Sequence, residues 1–506
     1  MIRNVIPRTQ QQVSCVGFGA FRIGGSGALN AGAALNTALK RGANVIDTST
    51  HFGAGLSETL IGQTLREATR EWGLKREDIV IISKCGHILD KKRISELSKE
   101  VAVVGEEFDL VVLSESAAHC ISPKFIESEI TASLGRLNVE KIDIYMLNCP
   151  ERLVAGKLHS RKVPSVYPFI KKAFTHLEQE VKRGRIGSYG IASNSLANSS
   201  IPDFINLEEC IDLAKQAGGL DHSFSSIEYP LNLFERDAVE RLDGERVLAE
   251  IAEENGIYQF IQRPLNVIAN GSVRCLGDRN SGYTDETSIT AELTTRFENV
   301  TKLELGLSSL VGDTEDDIKT VSHFVWAETL SENLTKLVSS NAFATQHYTQ
   351  NIVLPTLNAE AEKLIASLPA DSPNGDDIKL WAAEYKTSIT ELCTLLVNLC
   401  LSAESAMNRE IATVLGAMAP STVQEWRKVK FTAQGKDVDM YTQPPLSDIS
   451  IRIIRSVLEM KTNGRGGTVL VGMRKPEYVD DIILAGCGES VKPDDVESAL
   501  LCSLLD

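Results

Sequence analysis

Short runs rich in β-branched residues alternate with helix-period segments along most of this 506-residue chain, and that alternation limits its fold more than any other feature. The runs VSCVGFG (13–19), ANVIDTS (43–49), DIVIISK (78–84), KIDIYMLN (141–148), RIGSYGIAS (185–193), SSIEYPL (225–231), IYQFIQR (257–263) and GTVLVGM (467–473) read as strands. Between them ALNTALKRG, SETLIGQTLREATREW, FIESEITASLGRL, FIKKAFTHLEQEVKRG, LEECIDLAKQAG, AVERLDGERVLAEIAEENG and ISIRIIRSVLEMK place apolar residues at i, i+3 and i+4 with charges opposite, the pattern of helices with one face buried. Strands separated by helices pair in parallel, because a helix is the connection that returns the chain to the same end of a sheet. Eight such units predict an α/β fold, a closed (β/α)8 TIM barrel, rather than an open doubly wound sheet. No GxGxxG follows the first strand as a dinucleotide-binding unit of that open type requires, and GFGAFRIGGSG has a different spacing.

Two stretches break the repeat. Residues 86–122 form an enlarged loop after the third strand. Residues 272–445 separate the seventh strand from its helix and from the eighth strand, and LWAAEYKTSITELCTLLVNLCLSAESAMNREIATVLGAM within them has long helical periodicity. The expected organisation is therefore residues 1–271 for the first seven strands, 272–445 for a mostly helical insertion, and 446–506 for completion of the barrel with C-terminal helices. Because βα loops lie at the C-terminal face of such a barrel, the insertion is expected there, as a lid, as a platform for a protein partner, or as a decoration without a role.

The net charge of -16 argues against a broad surface for nucleic acid or anionic lipid. No run of eighteen apolar residues suggests a membrane span, and MIRNVIPRTQQQVSCVGFG lacks the apolar core of a secretory signal. A cytoplasmic location is expected; Arg3 and Arg8 without an early acidic residue leave a mitochondrial alternative. The ten cysteines are scattered singly without a CxxC pair, so they read as reduced thiols and no metal site is expected. His119 and Cys120 are adjacent on an extended segment and point to opposite sides, which favours structural roles over ligation.

In a (β/α)8 barrel the working side chains stand at the C-terminal ends of the strands. Those ends carry Asp47, Lys84, Asn148 and the pair Ser193 and Asn194. A buried Asp and Lys on neighbouring strands will pair, since either charge alone in a low dielectric is strongly disfavoured. Such a pair is compatible with a structural role, and equally with a lysine that stabilises developing negative charge.

The strings VSCVGFGAF, NVIDTSTHFGAGLSETLIGQTL, IVIISKCG, SLGRLNVEKIDIYMLNCPE, GRIGSYGIASNS, IEYPLNLFE and VLVGMRKPEYVDDIILAG, in that order, resemble the aldo-keto reductase family over about residues 10–270 and 446–490. The segment HCISP followed by a helix and IDIYMLNCPE resembles the galactose dehydrogenase-like branch. The resemblance implies an NADPH- or NADH-dependent oxidoreductase in which an Asp, a Tyr, a Lys and a His act at the barrel mouth. By motif position the Asp is Asp47 and the Lys is Lys84, but the Tyr falls on Phe52 and the His on Asn148. Phe has no exchangeable proton and Asn does not titrate near neutral pH. Losing one positioned acid costs about 10²–10⁴ in rate, so little ordinary reductase activity is expected. His51, and otherwise Lys84, are the candidates for a substitute acid.

The nucleotide signature is better kept. The resemblance implies nicotinamide contacts from Ser193 and Asn194, and from Glu228 where the family has Gln. It implies phosphate contacts from Gly472, Arg474 and Lys475, and adenine or ribose contacts from Glu477 and Asp481. The leading expectation is an NADP(H)-binding protein of impaired catalysis that serves as a sensor or assembly component, with a partner on the 272–445 insertion. NADH or no nucleotide are the alternatives for the cofactor. The competing expectation is an active NADPH-dependent oxidoreductase of a sugar-like or other small carbonyl or alcohol, using a variant proton donor.

Overall fold

The structure, a computed structural model, describes residues 2–24, 30–104, 110–154, 165–232, 234–240, 246–269, 272–275, 286–312, 319–339, 342–369, 373–418, 431–433, 436–438, 457 and 467–485. The chain divides into two compact units, Met1–Leu265 with Leu415–Asp506, and Asn266–Val414.

The first unit holds a closed barrel of eight parallel strands in chain order. These are β1 (Val16–Gly19), β2 (Val45–Asp47), β3 (Val80–Cys85), β4 (Ile142–Asn148), β5 (Ile186–Ala192), β6 (Phe224–Pro230), β7 (Tyr258–Gln262) and β8 (Thr468–Val471). Each lies within one of the runs read as strands, except that β3 ends one residue beyond its run, at Cys85, and β6 begins one residue before its run, at Phe224. Helices α1 (Ala31–Lys40), α2 (Leu56–Trp72), α3 (Pro123–Leu137), α4 (Tyr167–Lys182), α5 (Leu207–Gly218) and α6 (Leu248–Glu254) follow β1 to β6, and α7 (Pro476–Ala485) follows β8. The helix expected over ISIRIIRSVLEMK lies outside the described residues except for Val457.

Burial on both faces explains why the strands read as continuous apolar runs: β3 and β4 are buried at every position. Alternate residues fill the barrel, where Val45, Val80, Ile82, Ile144, Met146, Ala192, Tyr258, Phe260 and Leu470 form one cluster. The other set packs outward under the helices, for example Ile46, Ile81, Tyr145, Leu147 and Ile191.

The first predicted strand divides in two. Gln12–Ser14 pairs antiparallel with Arg3–Val5, and only Val16–Gly19 enters the barrel. This hairpin puts Ile6 and Val13, both fully buried, into the interior cluster at the N-terminal end of the strands. Asn4 Nδ2 ties it to the Gly467 carbonyl at 2.8 Å.

The segment 86–122 is more than a loop. It contains a helix, Lys91–Val104, and three short strands in the order His87–Ile88, Ala117–His119, Val111–Ser114, all antiparallel. Local hydrophobic pattern gave no signal for strands of two to four residues.

The second unit is built mainly from helices, among them Glu286–Val311, Trp326–Glu332, Leu354–Ser367 and all but the last turn of Gly375–Met418. It has its own apolar core around Leu293, Phe324, Trp381, Tyr385 and Leu392. Trp381 stacks on Tyr385 at 4.9 Å between centroids, and Glu304 accepts hydrogen bonds from the Tyr385 hydroxyl at 2.6 Å and the Ala327 N–H at 2.8 Å.

Candidate functional site at the barrel mouth

The alternation that turns Val45, Ile82 and Met146 inward brings Asp47, Lys84 and Asn148 to the same interior, one step further toward the strand C-termini. Register aligns Ala192 of β5 with Asn148 on one side and with Glu228 of β6 on the other. The top layer of the barrel is therefore polar, and its charged members are deeply buried: Asp47 is 6%, Lys84 1% and Glu228 2% exposed.

Lys84 stands between two carboxylates. Its Nζ donates to Asp47 Oδ1 and, at 3.2 Å, to the Thr48 carbonyl, and lies 3.1 Å from Glu228 Oε2. β6 is four strands removed from β2, so the lysine spans the barrel between them. Burial opposes the ammonium charge, yet Asp47 and Glu228 together outweigh it and hold the Lys84 pKa above its ordinary value. One ammonium cannot neutralise two carboxylates in a dry site, so one of them keeps a proton. Burial, followed by the neighbouring Asp47, pushes Glu228 up to about 8, and burial also raises Asp47.

Phe52 follows β2 in a turn with consecutive left-handed residues, Gly53 (φ 57°), Ala54 (φ 53°) and Gly55 (φ 88°). A side chain at Gly53 would come within 3.0 Å of the Gly24 backbone, which leaves glycine as the fitting residue. The Phe52 ring lies 5.5 Å from Lys84 Nζ and meets the exposed Phe21 edge-on at 5.1 Å. Asn148 is 9% exposed, and its Oδ1 faces Cys149 Sγ at 3.4 Å.

His51 joins a row of imidazoles. Its ring meets His87 edge-on at 5.1 Å, and His87 meets His119 at 5.3 Å. His87 and His119 face each other across the antiparallel pairing in the 86–122 segment. His119 Nε2 lies 2.7 Å from the Asn148 carbonyl. Gly86 (φ +144°) permits that contact, since a Cβ there would sit 2.5 Å from the same oxygen and 2.6 Å from the His119 nitrogen. Burial pulls all three imidazoles down, His51 to about 3, His87 to about 4 and His119 to about 3. Values this low favour the neutral imidazole at pH 7 for all three.

Ser193 and Asn194 directly follow β5, and the Ser193 N–H donates to the Glu228 carbonyl at 2.9 Å. The buried Ser193 hydroxyl donates to Glu151 Oε2 at 2.9 Å, while the exposed Asn194 accepts from Gln262 Nε2 at 3.2 Å. At the opposite end of the candidate nucleotide site, Gly472, Arg474 and Lys475 occupy the turn between β8 and α7, with Gly472 and Lys475 exposed. Lys475 Nζ lies 5.7 Å from the Tyr478 ring centroid. The side chains of Glu477 and Asp481 lie outside the described residues.

The structure thus gathers Asp47, Lys84, Glu228, Phe52, Asn148 and His51 at one mouth. Sequence reasoning missed His87 and the surroundings of His119. The available signal for His87 was its place three residues past Lys84, beyond a glycine at a strand end. Among the described residues, no His, Cys, Asp and Glu cluster suits a metal ion, and no helix is long and apolar enough to cross a membrane.

A model of the aldo/keto reductase family matches residues 15–367. The NADH-specific methylglyoxal reductase of Escherichia coli is 29% identical over 192 residues, 37% of this chain and 50% of that protein. Aldo-keto reductase YhdN of Bacillus subtilis is 25% identical over 240 residues, 46% of this chain and 55% of its own. The chain therefore spans about half the length of the curated relatives it matches. Among solved structures, the glycerol dehydrogenase AKR11B4 from Gluconobacter oxydans aligns with TM-score 0.45 and 17% identity, over 99% of this chain and 94% of that one. An aldo-keto reductase from Klebsiella pneumoniae in complex with NADPH aligns with TM-score 0.33 and 17% identity, over 52% and 69%.

Proposed function

The chain belongs to the aldo/keto reductase family, and from that premise we propose a barrel that binds a nicotinamide nucleotide while ordinary carbonyl reduction is impaired. The observation that carries this reading is the setting of Lys84 beside a ring without an exchangeable proton. Its Nζ donates to Asp47 Oδ1 and the Thr48 carbonyl and lies 3.1 Å from Glu228 Oε2, so it is held between two carboxyl groups. Where the family has a phenol to be acidified by that lysine, the Phe52 ring has no proton to give. At the position of the family histidine, Asn148 offers an amide.

The residues present fit the nucleotide. Glu228 Oε2 is buried without a well-aligned hydrogen-bond partner, and a carboxyl that keeps its proton offers a donor as well as an acceptor, as the amide of a Gln does. Asn194 is exposed beside it. Arg474 and Lys475, just before the first residues of α7, would meet the phosphates, with the helix dipole adding to their attraction. Two cations at that turn favour NADPH over NADH. A bound reduced nicotinamide supplies hydride; this chain's own residues would orient its carboxamide and hold its phosphates. A protein that keeps the nucleotide without turnover would serve as a sensor or assembly component, and residues 272–445 offer the additional surface for a protein partner.

Nucleotide binding is tested by fluorescence quenching with NADPH, and turnover with a carbonyl panel for the wild type and for Phe52→Tyr combined with Asn148→His. Tight binding without turnover, and activity only in the double variant, is the expected result. Robust wild-type turnover that Lys84→Met abolishes would overturn the impaired reading. A second reading, an active oxidoreductase of a small carbonyl or alcohol, is favoured by one observation: the buried Glu228 carboxyl lies 3.1 Å from Lys84 Nζ, where burial and Asp47 favour its protonated form.

A further inference from the structure

Arg263, the first residue after β7, is held in a left-handed conformation (φ 57°), which an arginine adopts where its neighbours impose it. The loop that follows β6 does so. The Leu231 N–H donates to the Gln262 carbonyl at 3.3 Å, and Asn232 Nδ2 donates to the Arg263 carbonyl at 3.4 Å. Asn232 is fully buried; its Oδ1 accepts from the Glu235 N–H at 3.0 Å, and its Nδ2 donates to Glu235 Oε2 at 2.7 Å. One buried amide thus fixes both members of an ion pair, in which Arg263 Nη2 donates to Glu235 Oε1 at 2.7 Å.

The pair leaves the cation incompletely matched. A guanidinium carries five N–H donors in one plane, and Glu235 engages one of its nitrogens through one oxygen. Arg263 Nε is buried without a hydrogen-bond partner. The Arg263 side chain is 20% exposed and that of Glu235 25%, so an incoming group can reach both. Burial pulls the Arg263 pKa below its ordinary value, by more than Glu235 restores. A half-buried guanidinium with donors to spare suits a phosphoryl group, whose oxygens match the planar fork and whose charge exceeds that of one carboxylate.

The barrel order β5, β6, β7, β8 sets Arg263 between two parts of the mouth. On one side Gln262, its neighbour in the chain, donates to the exposed Asn194 after β5. On the other side is the turn after β8 with Arg474 and Lys475. A dinucleotide stretched from the first to the second has its diphosphate midway, over the end of β7. We propose that Arg263 binds a phosphoryl group and that Glu235 is a built-in anion which this group displaces. The group has two sources. One is the diphosphate of a dinucleotide, which rests on the reading of the barrel as a nucleotide site; the other is the phosphate ester of a small ligand, which does not.

The test is calorimetric titration of the full chain, and of its Arg263→Gln, Arg263→Lys and Glu235→Gln variants, with NADPH, with adenosine 2′-phosphate, which has no diphosphate, and with glycerol 3-phosphate against glycerol. Arg263→Gln should weaken NADPH about tenfold, the scale of one charge-assisted hydrogen bond, and Arg263→Lys should recover part of the loss. Glu235→Gln removes the competing charge and should tighten NADPH about threefold. Adenosine 2′-phosphate should respond to none of them. Opposite signs from the two halves of one ion pair distinguish displacement from a structural role, because breaking a structural pair from either side damages the same loop. If glycerol 3-phosphate follows this pattern while NADPH is indifferent or unbound, the phosphoryl site stands and its source is the ester. Loss of affinity in both Arg263→Gln and Glu235→Gln, an equal response of adenosine 2′-phosphate, or no measurable binding of NADPH or glycerol 3-phosphate at tens of millimolar would each overturn the inference. NADPH bound equally by all the proteins, with glycerol 3-phosphate no better than glycerol, would overturn it and leave the nucleotide reading standing.

Discussion

Replacing Glu228 by Gln tests the charge state of the buried cluster directly. In the folded chain this carboxyl lies 3.1 Å from Lys84 Nζ, and burial with Asp47 nearby pushes it from an ordinary 4.5 up to about 8. In the unfolded chain it ionises at its ordinary value. Between those two pH values the folded state binds the extra proton, so stability is greatest at low pH and falls as pH rises toward 8. At 1.36 kcal/mol per pH unit, the loss is about 3 kcal/mol by pH 7 and about 5 kcal/mol by pH 8. The groups facing the carboxyl are Asp47, Lys84 and the Cys149 thiol, and all three remain in the variant. Urea unfolding of wild type and Glu228→Gln at several values from pH 5 to 9 gives the difference in stability. The variant should gain on the wild type through that interval and level off above about pH 8. Parallel curves would mean that Glu228 ionises as an ordinary carboxylate, and would refute the account of a proton held between it and Asp47.

Three further outcomes follow from the same geometry. Gly86→Ala forces a side chain against Asn148 O and His119 at a φ of +144°, and should cost about 3 kcal/mol in urea unfolding; an unchanged midpoint would contradict the close approach. Ala54→Gly relieves a left-handed alanine beside Phe52 and should raise stability by about 0.5–1 kcal/mol, seen as a higher Tm. The histidine row should make the protein acid-sensitive: imidazoles held at about 3 to 4 contribute stability that is complete above pH 6.5 and lost as pH falls toward 4, and His87→Phe should flatten that limb of the stability profile.

The barrel was legible because its strands are buried on both faces, so ANVIDTS, DIVIISK and KIDIYMLN stand out from the helices between them. The strand ends were legible for the same reason, and they delivered Asp47, Lys84 and Asn148. The contact of Glu228 with Lys84 was not, because it crosses the barrel between strands that are not neighbours. Nor was the histidine row: His87 and His119 meet through a pairing of very short strands inside a segment that reads as a loop. His51 was read as a candidate acid from its place beside Phe52; its Nδ1 lies 2.8 Å from the Ser49 hydroxyl, and burial pulls its pKa down to about 3.

The place of β8 in the chain has a temporal consequence. β8 pairs with β7 and with β1, yet 205 residues, 263–467, separate it from the end of β7. On a ribosome adding about 5–20 residues per second, roughly 10–40 s pass between the synthesis of the two strands. Through that interval β1 and β7 are open edges whose unpaired N–H and C=O groups invite pairing with other chains. The contiguous 266–414 unit, with its own core, can fold while the barrel waits. The nascent seven-stranded sheet is therefore the state most in need of chaperone protection, and deletions that bring Thr468 nearer to Gln262 should shorten its exposure.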